Sequence, residues 1–181
     1  MKKLFLLLAL FTVVFSCKKD SPCEGVECMH DGVCNDGTCA CIGLWKGKNC
    51  TEQITPILIT LRSIANTKMP STDINGAGWD LTSGPDVYFV IKQNGVVLIS
   101  TQDNWAQDAN QGTTWPIHLS ISNVYDDITI ELWDYDSFDN DDFMGSVSGK
   151  IYNDTNGFPE TIVTDCFGCK VEFTFGDISY L

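Results

Sequence analysis

The chain has 181 residues, a length that fits one domain or one domain beside a small module. Hydrophobic residues make up 44% and charged residues 19%, so the sequence can bury a core and does not have a disordered composition. Acidic residues outnumber basic ones 24 to 11, which argues against nucleic-acid binding because no basic surface can neutralise phosphates. Seven of the nine cysteines lie before position 51, so we expect two regions stabilised in different ways.

Residues 1–16 have the features of a secretory signal peptide. Two lysines precede an apolar run over residues 4–14, which is too short to cross a hydrocarbon core that needs about 20 residues. The sequence Val14-Phe15-Ser16-Cys17 resembles the lipobox of bacterial lipoproteins, in which the signal is cleaved before a cysteine that is then acylated. The resemblance implies a lipidated Cys17 and a short linker over residues 17–22. The expected location is the bacterial cell envelope, with a lipid anchor and the outer membrane favoured; ordinary cleavage is the alternative.

Six cysteines lie within residues 23–50, where few apolar residues are available to form a core. Such a short segment needs cross-links for its stability. Export to an oxidising compartment favours disulfides, although spacing alone does not choose among the pairings. A zinc site is not favoured, since His30 is the one imidazole nearby.

The cysteine spacing of this segment, Cys-x4-Cys-x5-Cys-x4-Cys-x-Cys-x8-Cys, with Asp31-Gly32 before the third cysteine, resembles an EGF-like domain. The resemblance implies the disulfides Cys23–Cys34, Cys28–Cys39 and Cys41–Cys50. The acidic residues that calcium-binding members carry before the first cysteine are missing, so we expect no metal in this module. A compact spacer is the favoured role, and a ligand-binding module is the alternative.

After Cys50 the sequence consists of β-branched and aromatic runs separated by Gly, Asn, Asp and Pro. Runs such as Asp127–Leu132 and Lys170–Phe175 alternate with period 2, and no segment shows sustained helical periodicity. Asn94-Gly95 between two such runs predicts a hairpin turn. The pattern predicts an all-β sandwich of seven or eight antiparallel strands. The strand candidates are Ile57–Ile64, Val87–Lys92, Val96–Thr101, Ile117–Ser122, Ile128–Trp133, Gly145–Ile151 and Lys170–Phe175.

Residues 126–142 are unusually acidic, with seven aspartates and Glu131. Charges packed this closely repel by roughly 1–4 kcal/mol per pair at ~4 Å. The acids are interleaved with aromatic residues, which a solvated acidic tail would not carry. Carboxylate oxygens suit Ca²⁺, which takes about six to eight oxygen ligands. An EF-hand is excluded because Phe138 and Gly145 occupy ligand positions of that motif.

The segment Leu132–Gly145, with the sequence LWDYDSFDNDDFMG, resembles the third calcium loop of a C2 domain, and Trp79–Val90 resembles the first. The resemblance implies an eight-stranded antiparallel C2-like sandwich over residues 54–181, with calcium as the cofactor. The implied calcium ligands are Asp80, Asp86, Asp134, Asp136 and Asp142. Leu81 and Phe138 occupy the loop-tip positions that enter the bilayer in membrane-docking members.

The last two cysteines form Cys166-Phe167-Gly168-Cys169. A redox centre of this spacing is typical of a βαβ setting that the surrounding β-rich sequence lacks. We therefore predict a Cys166–Cys169 disulfide that clamps the turn before the last strand.

These patterns favour a binding protein over an enzyme. The leading hypothesis is a lipid-anchored envelope protein whose C2-like domain binds calcium and, through it, a phospholipid membrane or an extracellular protein or glycan. The alternative is a calcium-rigidified structural spacer or adhesion module with no lipid docking. Catalysis is not favoured, because the chain has only His30 and His118, no Gly-x-Ser-x-Gly motif and no segment left for a catalytic domain.

Overall fold

A computed structural model describes residues 21–73, 75–79, 83–138, 140–164 and 170–181. They form two compact units, one ending at Glu52 and the other spanning Gln53–Leu181. The all-β prediction is confirmed, since the described ranges contain strands and one short 3₁₀ helix, Gln102–Asn104. No helix within them is long and apolar enough to cross a membrane. The predicted signal peptide, Cys17 and the Cys166–Cys169 disulfide lie outside the described residues.

The N-terminal unit is built from short strands and three disulfides. Strands β1 (Val33–Asn35) and β2 (Thr38–Ala40) form one antiparallel pair, and β3 (Trp45–Lys46) pairs with β4 (Glu52–Gln53), whose first residue is the last residue of this unit. The disulfides are Cys23–Cys34, Cys28–Cys39 and Cys41–Cys50, the pairing that the resemblance to EGF-like domains implies. In the described part of this unit, the buried hydrophobic side chains are those of two of these cysteines, Cys39 and Cys50. Cross-links therefore take the place of an apolar core.

The C-terminal unit is a sandwich of two four-stranded antiparallel sheets, as the sequence predicts. Its strands are β5 (Ile59–Lys68), β6 (Val87–Gln93), β7 (Val96–Ser100), β8 (Thr114–Ile121), β9 (Ile128–Asp134), β10 (Asp142–Gly149), β11 (Ile162–Val163) and β12 (Glu172–Tyr180). One sheet has the order β10–β9–β6–β7, and the other has the order β11–β12–β5–β8.

The core of the sandwich lies between the two sheets. Along β8 every second residue is buried, and along β9 buried and half-buried residues alternate, because successive side chains of a strand point to opposite faces. Phe89 of one sheet meets Trp115 of the other edge-on, with ring centroids 5.4 Å apart. Full burial of each large apolar side chain contributes roughly 1.5–3 kcal/mol, so this interdigitation holds the sheets together.

Some strands end at residues other than those predicted, because hydrogen bonding to a neighbouring strand overrides the local sequence pattern. The predicted hairpin at Asn94-Gly95 is present, and both residues have positive φ, 51° and 78°. Strand β12 continues past the predicted end at Phe175, because it pairs with β5 as far as Tyr180 opposite Ile59. The Gly176-Asp177 sequence suggests a turn, but the ladder accommodates Asp177 at φ 49° and resumes beyond it. Strand β11 has two residues and no periodic pattern, so the sequence did not reveal it.

Candidate metal centre

Three loops emerge from the same end of the sandwich. We call residues 69–86 the first loop, residues 101–113 the second loop and residues 135–141 the third loop. The strand register places the first and third together: Asp134, at the end of β9, pairs with Val87 on one side and with Asp142 on the other. The second loop follows β7, whose final residue, Ser100, lies opposite Val90 of β6. The acidic segments predicted to share a site therefore lie at one pole.

Two of the predicted calcium ligands are in direct contact there. The backbone N–H of Asp86 donates to Oδ1 of Asp134 at 2.7 Å, across 48 residues of sequence. The backbone N–H of Tyr135 donates in return to the carbonyl oxygen of Asp86 at 2.7 Å. Asp134 is only 1% exposed, whereas Asp86 is half-buried. The first and third loops are therefore joined at the residues that the motif singles out.

The third loop is held by a carboxylate that the sequence did not single out. Oδ1 of Asp141 accepts the backbone N–H of Asp136 at 3.2 Å, and Oδ2 accepts the Tyr88 hydroxyl at 2.7 Å and the Gln102 side-chain amide at 2.8 Å. Burial of the hydroxyl, reinforced by its hydrogen bond to Asp141 and by nearby negative charge, raises the pKa of Tyr88 above its ordinary value. Tyr88 therefore remains a hydrogen-bond donor across the physiological range.

The other predicted site residues fall in different environments. Asp136 is half-buried in the third loop, and the side chain of Asp142 is exposed at the start of β10. Phe138 is fully exposed at the tip of the third loop. Asp80 and Leu81 lie outside the described residues.

The donor chemistry of the predicted set fits calcium, since all five ligands are carboxylates and Ca²⁺ takes hard oxygen donors. Within the part of the chain that the structure describes, however, no three Asp, Glu, His or Cys side chains are gathered closely enough to hold a metal ion. Of the four predicted ligands that the structure describes, Asp86 and Asp134 are joined by a hydrogen bond, and Asp136 and Asp142 are not gathered with them into a cluster of three.

The negative charge of the C-terminal unit is high. From residue 54 onward the sequence has 18 acidic residues and 5 basic ones. Two of the basic side chains form ion pairs on strands, Lys68 with Glu172 at 2.8 Å and Lys92 with Glu131 at 2.6 Å. A cation at the acidic pole would therefore relieve repulsion between like charges.

No protein-family model matches the sequence, and no curated protein matches it. The chain is similar to a solved C2 domain, at 20% identity and a TM-score of 0.45, covering 67% of this chain and 97% of that one. It is similar to the calcium-bound pair of C2 domains of extended-synaptotagmin 2, at 15% identity and a TM-score of 0.40, covering 70% of this chain and 46% of that one. It is also similar to human GIVD cytosolic phospholipase A2 in complex with an inhibitor and terbium chloride, at 16% identity and a TM-score of 0.44. That match covers 70% of this chain and only 18% of the phospholipase.

Proposed function

We propose that this chain is a lipid-anchored protein of the bacterial cell envelope whose sandwich binds calcium and then docks on an anionic phospholipid surface. The observation that carries the proposal is the hydrogen bond from the backbone N–H of Asp86 to the Asp134 carboxylate, which joins one residue of the first-loop motif to one of the third-loop motif. Asp80, Asp136 and Asp142 would complete the ligand set. Bound calcium would supply the positive charge that joins these carboxylates to lipid phosphate oxygens.

The charge of the domain supports a calcium requirement. Its 18 acidic and 5 basic residues from position 54 onward would repel an anionic membrane in the absence of a cation. Five ligand carboxylates around two calcium ions would have a net charge of only −1. The acidic pole would then face phosphate groups with most of its repulsion removed.

The tip of the third loop supports a membrane as the partner. Phe138 is fully exposed and therefore unused by the core of the sandwich, although its neighbours in sequence are polar. Transfer of such a side chain into an apolar environment contributes roughly 1.5–3 kcal/mol, which is weak binding by itself. Calcium-bridged phosphates would have to supply the rest of the affinity.

Binding rather than catalysis is proposed for both units. His118 is exposed on β8, and Nδ1–H of His30 donates to the carbonyl oxygen of Cys50 at 2.8 Å while the ring stacks on Trp45. Both environments are consistent with structural or surface roles for the only two histidines of the chain.

Membrane docking is tested by sedimentation of residues 18–181 with phosphatidylglycerol vesicles. We expect retention with calcium and none with EGTA. Phe138→Ser should weaken vesicle binding by about tenfold or more, as loss of roughly 1.5–3 kcal/mol of apolar burial requires, without changing calcium affinity. The matched control is Ile57→Ser, which changes an exposed apolar residue before β5, at the other end of that strand from the first loop.

If wild-type protein binds calcium but stays in the supernatant with every vesicle composition, lipid docking is wrong. A protein or glycan partner, or a purely structural calcium-rigidified spacer, would then replace it.

The anchor is tested separately by Cys17→Ser in cells. We expect the variant to lose palmitate labelling and to leave the membrane fraction, because each buried methylene of an acyl chain contributes about 0.8 kcal/mol to membrane binding. A Cys17→Ser variant that remains labelled would show that this cysteine is not the lipidated residue.

A further inference from the structure

We infer that the second loop braces the proposed calcium site and that Asp108 is the positioning residue that orients Asp86. The inference rests on the proposed calcium binding and concerns a residue that lies outside both calcium-loop motifs. Asp108 is exposed and follows the 3₁₀ helix Gln102–Asn104 by four positions.

The second loop lies along the residues that carry Asp86. The backbone N–H groups of Val87 and Ala106 each donate to the other residue's carbonyl oxygen at 2.8 Å, and the Ala109 N–H donates to the Pro85 carbonyl at 2.7 Å. These bonds flank Asp86 on both sides. The second loop therefore forms an isolated antiparallel bridge with the first residue of β6 and one further backbone hydrogen bond with the end of the first loop.

Asp108 adds two hydrogen bonds between backbone and side chain to this bridge. Its backbone N–H donates to Oδ1 of Asp86 at 3.0 Å, and its own Oδ1 accepts the backbone N–H of Gly84 at 3.2 Å. The backbones of Gly84 and Asp108 approach each other closely. A Cβ atom added at Gly84 would lie only 3.3 Å from the carbonyl carbon of Asp108. One oxygen of the Asp86 carboxylate is thus held by the second loop, and the backbone two residues before it is held by Asp108.

The second loop also contacts the third. Trp105 stacks on Tyr135 with ring centroids 5.3 Å apart and planes 12° from parallel. Tyr135 lies between the proposed ligands Asp134 and Asp136. The second loop therefore touches both loops that carry ligands.

Positioning of this kind controls metal affinity. Calcium takes its oxygen ligands within about 2.3–2.6 Å, so small displacements of a carboxylate matter. A carboxylate that is already held in place also loses less conformational freedom when it binds, which raises affinity. Loss of the Asp108 acceptor should release the Gly84–Asp86 segment and lower calcium affinity by about tenfold.

The test uses residues 18–181, CaCl₂ titrated by calorimetry, and amide hydrogen exchange of the calcium-free protein. Asp108→Ala should weaken calcium binding by about tenfold and speed exchange at the Gly84 N–H. Asp108→Asn keeps a side-chain oxygen acceptor, so both quantities should stay near wild type. Asp108 has φ 48°, which alanine tolerates poorly, so Asp108→Gly removes the acceptor without backbone strain and should reproduce the alanine result. The charge control is Asp103→Ala, which removes another exposed acid of the same loop.

Four results would overturn the inference. If Asp108→Asn weakens calcium binding as much as Asp108→Ala does, Asp108 acts through its negative charge or as a calcium ligand. If Asp103→Ala weakens calcium binding as much as Asp108→Ala does, the effect comes from the negative charge of the second loop and not from positioning of Asp86. Unchanged calcium affinity in Asp108→Gly would remove the positioning role and leave the proposed function standing. Absence of calcium binding by the wild-type protein would instead overturn the proposed function, and this inference with it.

Discussion

Calcium is expected to stabilise the sandwich by about 2.7 kcal/mol when its concentration is 100 times the dissociation constant, because the ion should bind the folded state alone. For a unit of this size the melting temperature should rise by roughly 10 °C. Extracellular calcium modules have dissociation constants of about 10⁻⁴–10⁻³ M, so titrations monitored by circular dichroism should extend to about 10–100 mM calcium to reach this excess. Asp134→Asn combined with Asp136→Asn should abolish the rise, since both substitutions remove a ligand charge at nearly constant volume.

The structure supplies a matched control for this double variant. Asp127→Asn combined with Asp177→Asn makes the same change in net charge at exposed positions, before β9 and within β12, outside the three loops. The control should keep the full calcium response. A calcium response that survives in Asp134→Asn with Asp136→Asn would reject the assignment of these ligands.

Removal of the Cys41–Cys50 disulfide is expected to unfold the N-terminal module while the sandwich stays folded. Cys50 is fully buried, its carbonyl accepts a hydrogen bond from His30, and a Cβ at Gly32 would lie only 2.7 Å from its sulfur. Loss of a native disulfide from a small secreted domain costs about 2–5 kcal/mol. The module has no apolar core to absorb that loss, since the buried hydrophobic side chains in its described part belong to cysteines.

Limited proteolysis of Cys41→Ser with Cys50→Ser, mapped by mass spectrometry, should show rapid cleavage within residues 21–52 and protection from residue 59 onward. The converse variant is Phe89→Ala, which opens a cavity in the sandwich core and should destabilise that unit by about 3–5 kcal/mol without exposing the module. Loss of both units together in either variant would contradict their independence.

The strand pattern of the sandwich was predictable because one face of each central strand is buried. Strand β9 shows this directly, since its buried positions alternate along its whole length and the period-2 pattern is present in the sequence. Strand β11 and the last residues of β12 were not predictable, because they owe their extended conformation to a neighbouring strand rather than to their own alternation.

The sequence by itself determined the all-β class, the cysteine-rich module and the two aspartate-bearing segments of the candidate site, since each depends on residue types at short, regular spacing. Only the tertiary structure decided which groups hold those aspartates in place. Asp108 reaches Asp86 across 22 residues, and Tyr88 reaches Asp141 across 53. Asp108 does not stand out in its local sequence, and nothing within the acidic segment distinguishes Asp141 from the neighbouring aspartates. Their roles arise because the pairing of distant strands brings three loops to one pole, and local periodicity does not encode which loop residues then meet.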